Sequence, residues 1–183
     1  MKSLKTIQTL AKVGKVLSKI VMIFCIVALV LSLLGLGSMF IAKNMKTEGS
    51  QQLQDLFVDY DMPFEKAVAV MCIVCAALII ELIVSAKAVR YFKHELEEGT
   101  PFRLSLANEM RDLGILIIVL SLAFAIVVSI GWSIAKQYYP QLGENELRGG
   151  YSIGMGIAFL VVSVICRYGT EALEEKDALA NVD

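Results

Sequence analysis

The chain has 183 residues, of which 57% are apolar and 19% charged, with a formal net charge of −1. Soluble domains carry about 25% charged and fewer than half apolar residues, so this composition excludes an ordinary water-soluble globule. The net charge itself says little, because basic and acidic residues are partitioned by segment.

Residues 2–19 read as an amphipathic helix. Lys5, Gln8, Lys12, Lys15 and Lys19 recur at spacings of three and four, while Leu4, Ile7, Ala11 and Leu17 fall away from that stripe. A basic stripe opposite an apolar one suits the membrane interface. There it would sense anionic lipid, dock a partner, or anchor the topology of the next segment.

The first apolar run, 20–42, is long enough to cross a bilayer, which takes about 20 apolar residues. It exceeds the h-region of a signal peptide, roughly 7–15 residues, and no small-x-small cleavage site follows it cleanly, so a retained helix is expected. Residue 2 is lysine and the last three residues hold no cysteine, so no lipidation signal is read.

Between 43 and 66 lies a loop in which Leu53, Leu56, Phe57 and Val58 predict one short helix on the bilayer surface. Asp55, Asp59 and Asp61 lack the glycine turn and terminal glutamate of an EF-hand loop, so a solvated acidic loop is expected and no metal is assigned.

A second span is predicted at 67–90, built on the apolar run 67–84. It contains Glu81, the only ionisable residue well inside a span. Such a residue costs about 2.5–3.5 kcal/mol at a helix centre and is a functional candidate on that ground. Arg111 and Arg167, on neighbouring spans near the same side, are the candidate partners. The alternatives are a structural ion pair between helices and a proton- or cation-linked role. Cys72 and Cys75 form a Cys-x-x-Cys in the same span, facing roughly one side, with Cys25 and Cys166 in other spans. Thiolates are disfavoured in hydrocarbon, so these read as buried structural thiols.

The connection from 85 to 112 is the most structured. Residues 85–98 continue the second helix and carry Lys87, Arg90 and Lys93, then Glu95, Glu97 and Glu98. Gly99 is placed to end it in the left-handed conformation. Thr100 and Pro101 then suit the cap and first turn of the next helix, which starts near Phe102, carries Arg103 and Arg111, and enters a third span at 110–135. The pattern predicts a helical hairpin projecting from the membrane. His94 is the single histidine and has no partner at a metal-binding spacing.

The fourth span is expected at 151–168. Gly150 and Gly154, with Ser152 and Gly156, make a small-residue ridge for close packing, inside the bundle or between copies. An acidic tail, 169–183, closes the chain.

Lys and Arg alternate between the connections. Five lie before the first span, three in the next segment, five in the central one, two in the third and two in the tail. With both termini inside, 12 fall inside and 5 outside, which predicts cytoplasmic termini and a cytoplasmic central loop. No Gly-x-Ser-x-Gly, Walker loop, zinc finger or helix-turn-helix occurs, so neither catalysis, a cofactor nor direct nucleic-acid binding is expected. The predicted architecture is an all-α, four-helix transmembrane bundle forming a single integral membrane domain over 1–183. It has an N-terminal amphipathic interfacial helix and a cytoplasmic helical hairpin between spans two and three.

Two stretches carry a family resemblance. One runs Arg90-Tyr-Phe-Lys-His-Glu-Leu-Glu-Glu-Gly-Thr-Pro-Phe102, followed by Leu113-Gly114. The other is Ile165-Cys-Arg-Tyr-Gly169 with Glu171, Leu173 and Glu174. In layout and in these motifs the chain resembles a bacterial family of small four-span membrane proteins, the domain of unknown function 2975. It departs from that pattern at Cys166, at Arg103-Leu-Ser and at the end of the tail. The resemblance implies a plasma-membrane protein without enzyme activity that partners a cytosolic helix-turn-helix regulator. Arg90, Lys93, Gly99, Pro101, Phe102 and Arg103 are the candidate docking residues. The alternatives are a small oligomeric transporter or channel subunit using Glu81, and an immunity-type membrane protein using the outer acidic loop.

Overall fold

A computed structural model describes residues 2–44, 64–99, 102–140 and 153–180. The described residues form four helices: α1 Lys2–Asn44, α2 Phe64–Glu98, α3 Leu104–Tyr138 and α4 Ile153–Ala180. All four are long and apolar enough to cross a membrane. Hydrocarbon offers no partner to a backbone N–H or C=O, so a spanning segment must satisfy both within its own helix. The chain is thus an all-helical, multi-pass membrane protein. The expected surface helix around 51–63, the pair Thr100 and Pro101, and Gly150 and Ser152 lie outside the described residues.

The sequence reading divides an interfacial helix at 2–19 from the first span. The structure does not: α1 is one helix of 43 residues. No proline occurs at the junction Ser18-Lys19-Ile20, and a sharp kink needs such a cause.

The helices contribute to two compact units. The first comprises Met1–Met22, Ile83–Leu122 and Gly150–Asp183, the second Ile23–Leu82 and Ala123–Gly149. In the first unit Tyr91, Leu106 and Met110 are buried together, with Phe92 and Phe159 against them, and Leu106 is wholly enclosed. On α3, the positions Leu106, Met110, Leu113, Ile117 and Ser121 are buried at helical spacing, one continuous face. Ser163 on α4 donates a hydrogen bond of 2.8 Å to the Ala107 carbonyl on that face.

Two close approaches fix helix separations in this unit. At Gly14 a Cβ would stand 2.6 Å from the Phe92 ring, so α1 meets α2 where it has no side chain. Gly114 and Gly156 face each other across α3 and α4: a Cβ on the first would lie 2.9 Å from the Gly156 carbonyl oxygen, and one on the second 3.0 Å from that of Gly114. Small residues let membrane helices approach closely in this way. Of the expected ridge, Gly156 makes the contact and Gly154 stands in open space. Its partner Gly114 is a residue the spacing argument did not select.

In the second unit the buried apolar residues are Cys25, Met39, Ala67, Cys75 and Trp132. Large apolar side chains such as Phe24, Leu31 and Val127 lie exposed on its helices. Such a surface is costly in water and ordinary against lipid.

Candidate functional site

Helix α2 has 35 residues, a length of about 52 Å. The hydrocarbon core is about 30 Å thick, which the apolar run 67–84 nearly fills. The helix is therefore longer than a crossing requires, and its charged side chains cluster at 93–98. This polar end, with the start of α3 and the exit of α4, carries the candidate residues that the structure brings together.

Gly99 terminates α2 as expected. Its φ is +71°, and its N–H donates to the Glu95 carbonyl at 3.0 Å. A left-handed residue at this position lets the chain reverse while the last carbonyls stay satisfied. The Gln8 side chain of α1 donates to the Gly99 carbonyl at 3.3 Å, tying the turn to the N-terminal helix. Phe102 is half-buried against Gly169 of α4, where a Cβ would come within 2.8 Å of the ring. Both residues therefore hold the turn in place rather than project from it.

Charged side chains staple the two helices beside the turn. Arg103 pairs with Glu98 across it. His94 Nδ1 lies 2.9 Å from Glu109 on α3, and its Nε2 lies 3.6 Å from Glu98. Lys93 pairs along its own helix with Glu97 at 3.6 Å. Exposed pairs of this kind contribute about 0–1 kcal/mol each, so they fix geometry more than they stabilise. Lys93 and Arg103 remain mostly exposed, and Arg90 is exposed with no ion-pair partner among the described residues.

Beneath them lies a carboxyl group that the sequence reading did not single out. Glu95 is only 9% exposed. Burial raises its pKa above the ordinary carboxylate value, and a hydrogen bond from the Tyr91 hydroxyl works in the opposite direction. Glu95 is also close enough to Cys166 on α4 to interact with it electrostatically. One turn further along α4, the Thr170 hydroxyl bonds back to the Cys166 carbonyl at 2.9 Å. A sequence signal existed in the spacing Tyr91-x-x-x-Glu95, which stacks the two on one helix face. Which face is covered by α4 depends on tertiary packing.

The intramembrane candidates are not gathered into one cluster of ion pairs. Arg111 lies 3.3 Å from its neighbour Asp112, and Arg167 donates to Glu171 at 3.0 Å within α4. Glu81 is exposed on the surface of α2 and has no ion pair among the described residues. The four cysteines are free; Cys25, Cys75 and Cys166 are buried, while Cys72 is exposed, so the Cys-x-x-Cys pair does not share one environment. Among the described residues no group of three His, Cys, Asp or Glu side chains is placed to hold a metal ion. No family model, curated protein or solved structure matches this chain.

Proposed function

We propose that this chain is a non-enzymatic membrane protein whose polar α2–α3 end docks a cytosolic regulatory protein. The supporting observation is that this end has its own core. Leu106, Tyr91 and Met110 are buried beneath it, and Gly99, Phe102 and the His94–Glu109 contact hold its turn. A connector needs only to join two spans, whereas a binding surface needs side chains on rigid elements. Arg90, Lys93 and Arg103 are the exposed cations on that support. Positive-inside bias supports a cytoplasmic location for this end and for both termini, and the family resemblance implies a bacterial membrane. The resemblance in the 90–102 and 165–174 motifs points to a helix-turn-helix regulator as the partner.

The test is affinity capture of the tagged full-length protein from its native membrane in mild detergent, with Lys93→Glu/Arg103→Glu as the matched control. A cytosolic regulator recovered with the parent and lost with the control is the expected result. Recovery of the protein with copies of itself alone would overturn the proposal.

Exposure of Glu81 favours a second reading. A carboxylate on the outer face of an apolar helix calls for a polar partner, and a second copy could provide one, as an oligomeric transporter or channel subunit requires. Under that reading Glu81→Gln abolishes ion flux in reconstituted vesicles, and under the docking reading no flux is present to lose.

A further inference from the structure

We infer that a cleft between α2 and α3 binds one zwitterionic phospholipid of the phosphatidylethanolamine type, with its phosphate on the α2 wall and its ammonium on the α3 wall. The cleft has a volume of about 360 Å³, within the range of roughly 300–1,000 Å³ typical of small-molecule sites. Lys87, Arg90 and Tyr91 line it from α2, and Glu109, Asp112, Leu113 and Leu116 from α3. Each charged pair is three residues apart on its helix and so shares a face.

Depth selects a lipid over a soluble ligand. Lys87 follows the apolar run 67–84 by three residues, and Asp112 immediately precedes the run 113–135. The charged walls thus stand at the boundary of the hydrocarbon, and Leu113 and Leu116 begin inside it. The headgroup layer is about 5–7 Å thick on each side of a bilayer. Lys87 and Arg90 are separated by about 4.5 Å along the helix, as are Glu109 and Asp112, which matches that layer.

The charges on the two walls do not neutralise each other. Lys87 and Arg90 have no ion-pair partner among the described residues. Glu109 gives one oxygen to His94, and Asp112 meets only the exposed guanidinium beside it in sequence. A phosphate accepts hydrogen bonds from lysine and arginine, and a primary ammonium donates to carboxylates. A headgroup carrying both, with acyl chains leaving over Leu113 and Leu116, complements the whole cleft. A phosphatidylglycerol headgroup has no cation for the α3 wall, and the trimethylammonium of phosphatidylcholine has no N–H to donate.

Native mass spectrometry of the full-length protein in detergent, titrated with dioleoyl-phosphatidylethanolamine, -phosphatidylcholine or -phosphatidylglycerol, tests this. The first phosphatidylethanolamine should bind about tenfold or more tightly than either other lipid, the effect of one charge-assisted hydrogen bond. Lys87→Gln/Arg90→Gln should weaken it by a similar factor. Glu109→Gln/Asp112→Asn should remove the preference over phosphatidylcholine. Lys87→Arg should keep binding, which separates loss of charge from loss of fold, and circular dichroism of each variant provides a second check. Equal binding of all three lipids, insensitivity to both double variants, or equally tight binding of free phosphoethanolamine would overturn the assignment.

Discussion

Adding one methyl group at Gly114 or at Gly154 should change stability in opposite directions. Both are helical glycines, on α3 and α4. In a helix interior, Gly→Ala alone stabilises by about 0.5–1 kcal/mol, because alanine loses less backbone entropy. Gly154 has nothing within 4 Å of its Cβ position and stands in the first turn of α4, so Gly154→Ala should show part of that gain. At Gly114 the Cβ would stand 2.9 Å from the Gly156 carbonyl oxygen and 3.1 Å from Leu160 Cγ. The nearer atom is backbone, so no rotamer change relieves it. Comfortable contact is near 3.5–4.0 Å, so α3 and α4 must separate by about half an ångström. Overpacking of this kind costs about 1–3 kcal/mol, leaving Gly114→Ala about 0.5–2 kcal/mol less stable than the parent. Reversible unfolding in mixed detergent micelles, followed by circular dichroism, measures both. A Gly114→Ala protein as stable as Gly154→Ala would refute the close crossing.

Substitutions at three further positions probe the first unit. Gly99→Ala should destabilise by about 1–2 kcal/mol, because φ of +71° forces its Cβ against the carbonyl, and Gly99→Asn should cost less; unfolding curves of the pair decide this. Ser163→Ala removes the buried bond to the Ala107 carbonyl and should cost about 1 kcal/mol by the same assay. Glu95 should make stability depend on pH. Its folded pKa is raised by burial, so between the unfolded and folded values the native state holds a proton that the unfolded chain has released. Its contribution is complete below the unfolded value and is lost as pH rises through the folded one. Glu95→Gln should remove that fall when unfolding is measured between about pH 4 and pH 8, and an unchanged pH slope would contradict the burial of this carboxyl.

The features legible in the sequence are those that local chemistry determines. Long apolar runs announce the spans because lipid admits few other structures. Gly99 announces a helix end because a left-handed residue is cheap only for glycine and a few others. The continuity of α1 was also written in the sequence, in the lack of a breaker near Lys19, but the change from amphipathic to apolar pattern invites a division there. What required the structure is the rotation of each helix about its axis. Gly154 belongs to a small-residue ridge in the sequence and Gly114 does not, yet rotation puts Gly114 at a contact and Gly154 in open space. The same holds for Glu95, whose sequence neighbours His94 and Leu96 suggest an ordinary charged turn, though packing buries it. Phe102 is a candidate docking residue by resemblance, and its ring packs against Gly169, 67 positions away, a contact no local pattern shows.

A photo-crosslinking residue placed at Lys93 or at Arg103, in cells expressing the full-length protein, tests whether the α2–α3 end meets a soluble partner. A matched position at Val164, exposed on the apolar face of α4, serves as the control. Docking requires one discrete adduct with a cytosolic protein at Lys93 and Arg103 and none at Val164. No adduct at either polar position, or the same adducts at all three, would contradict it.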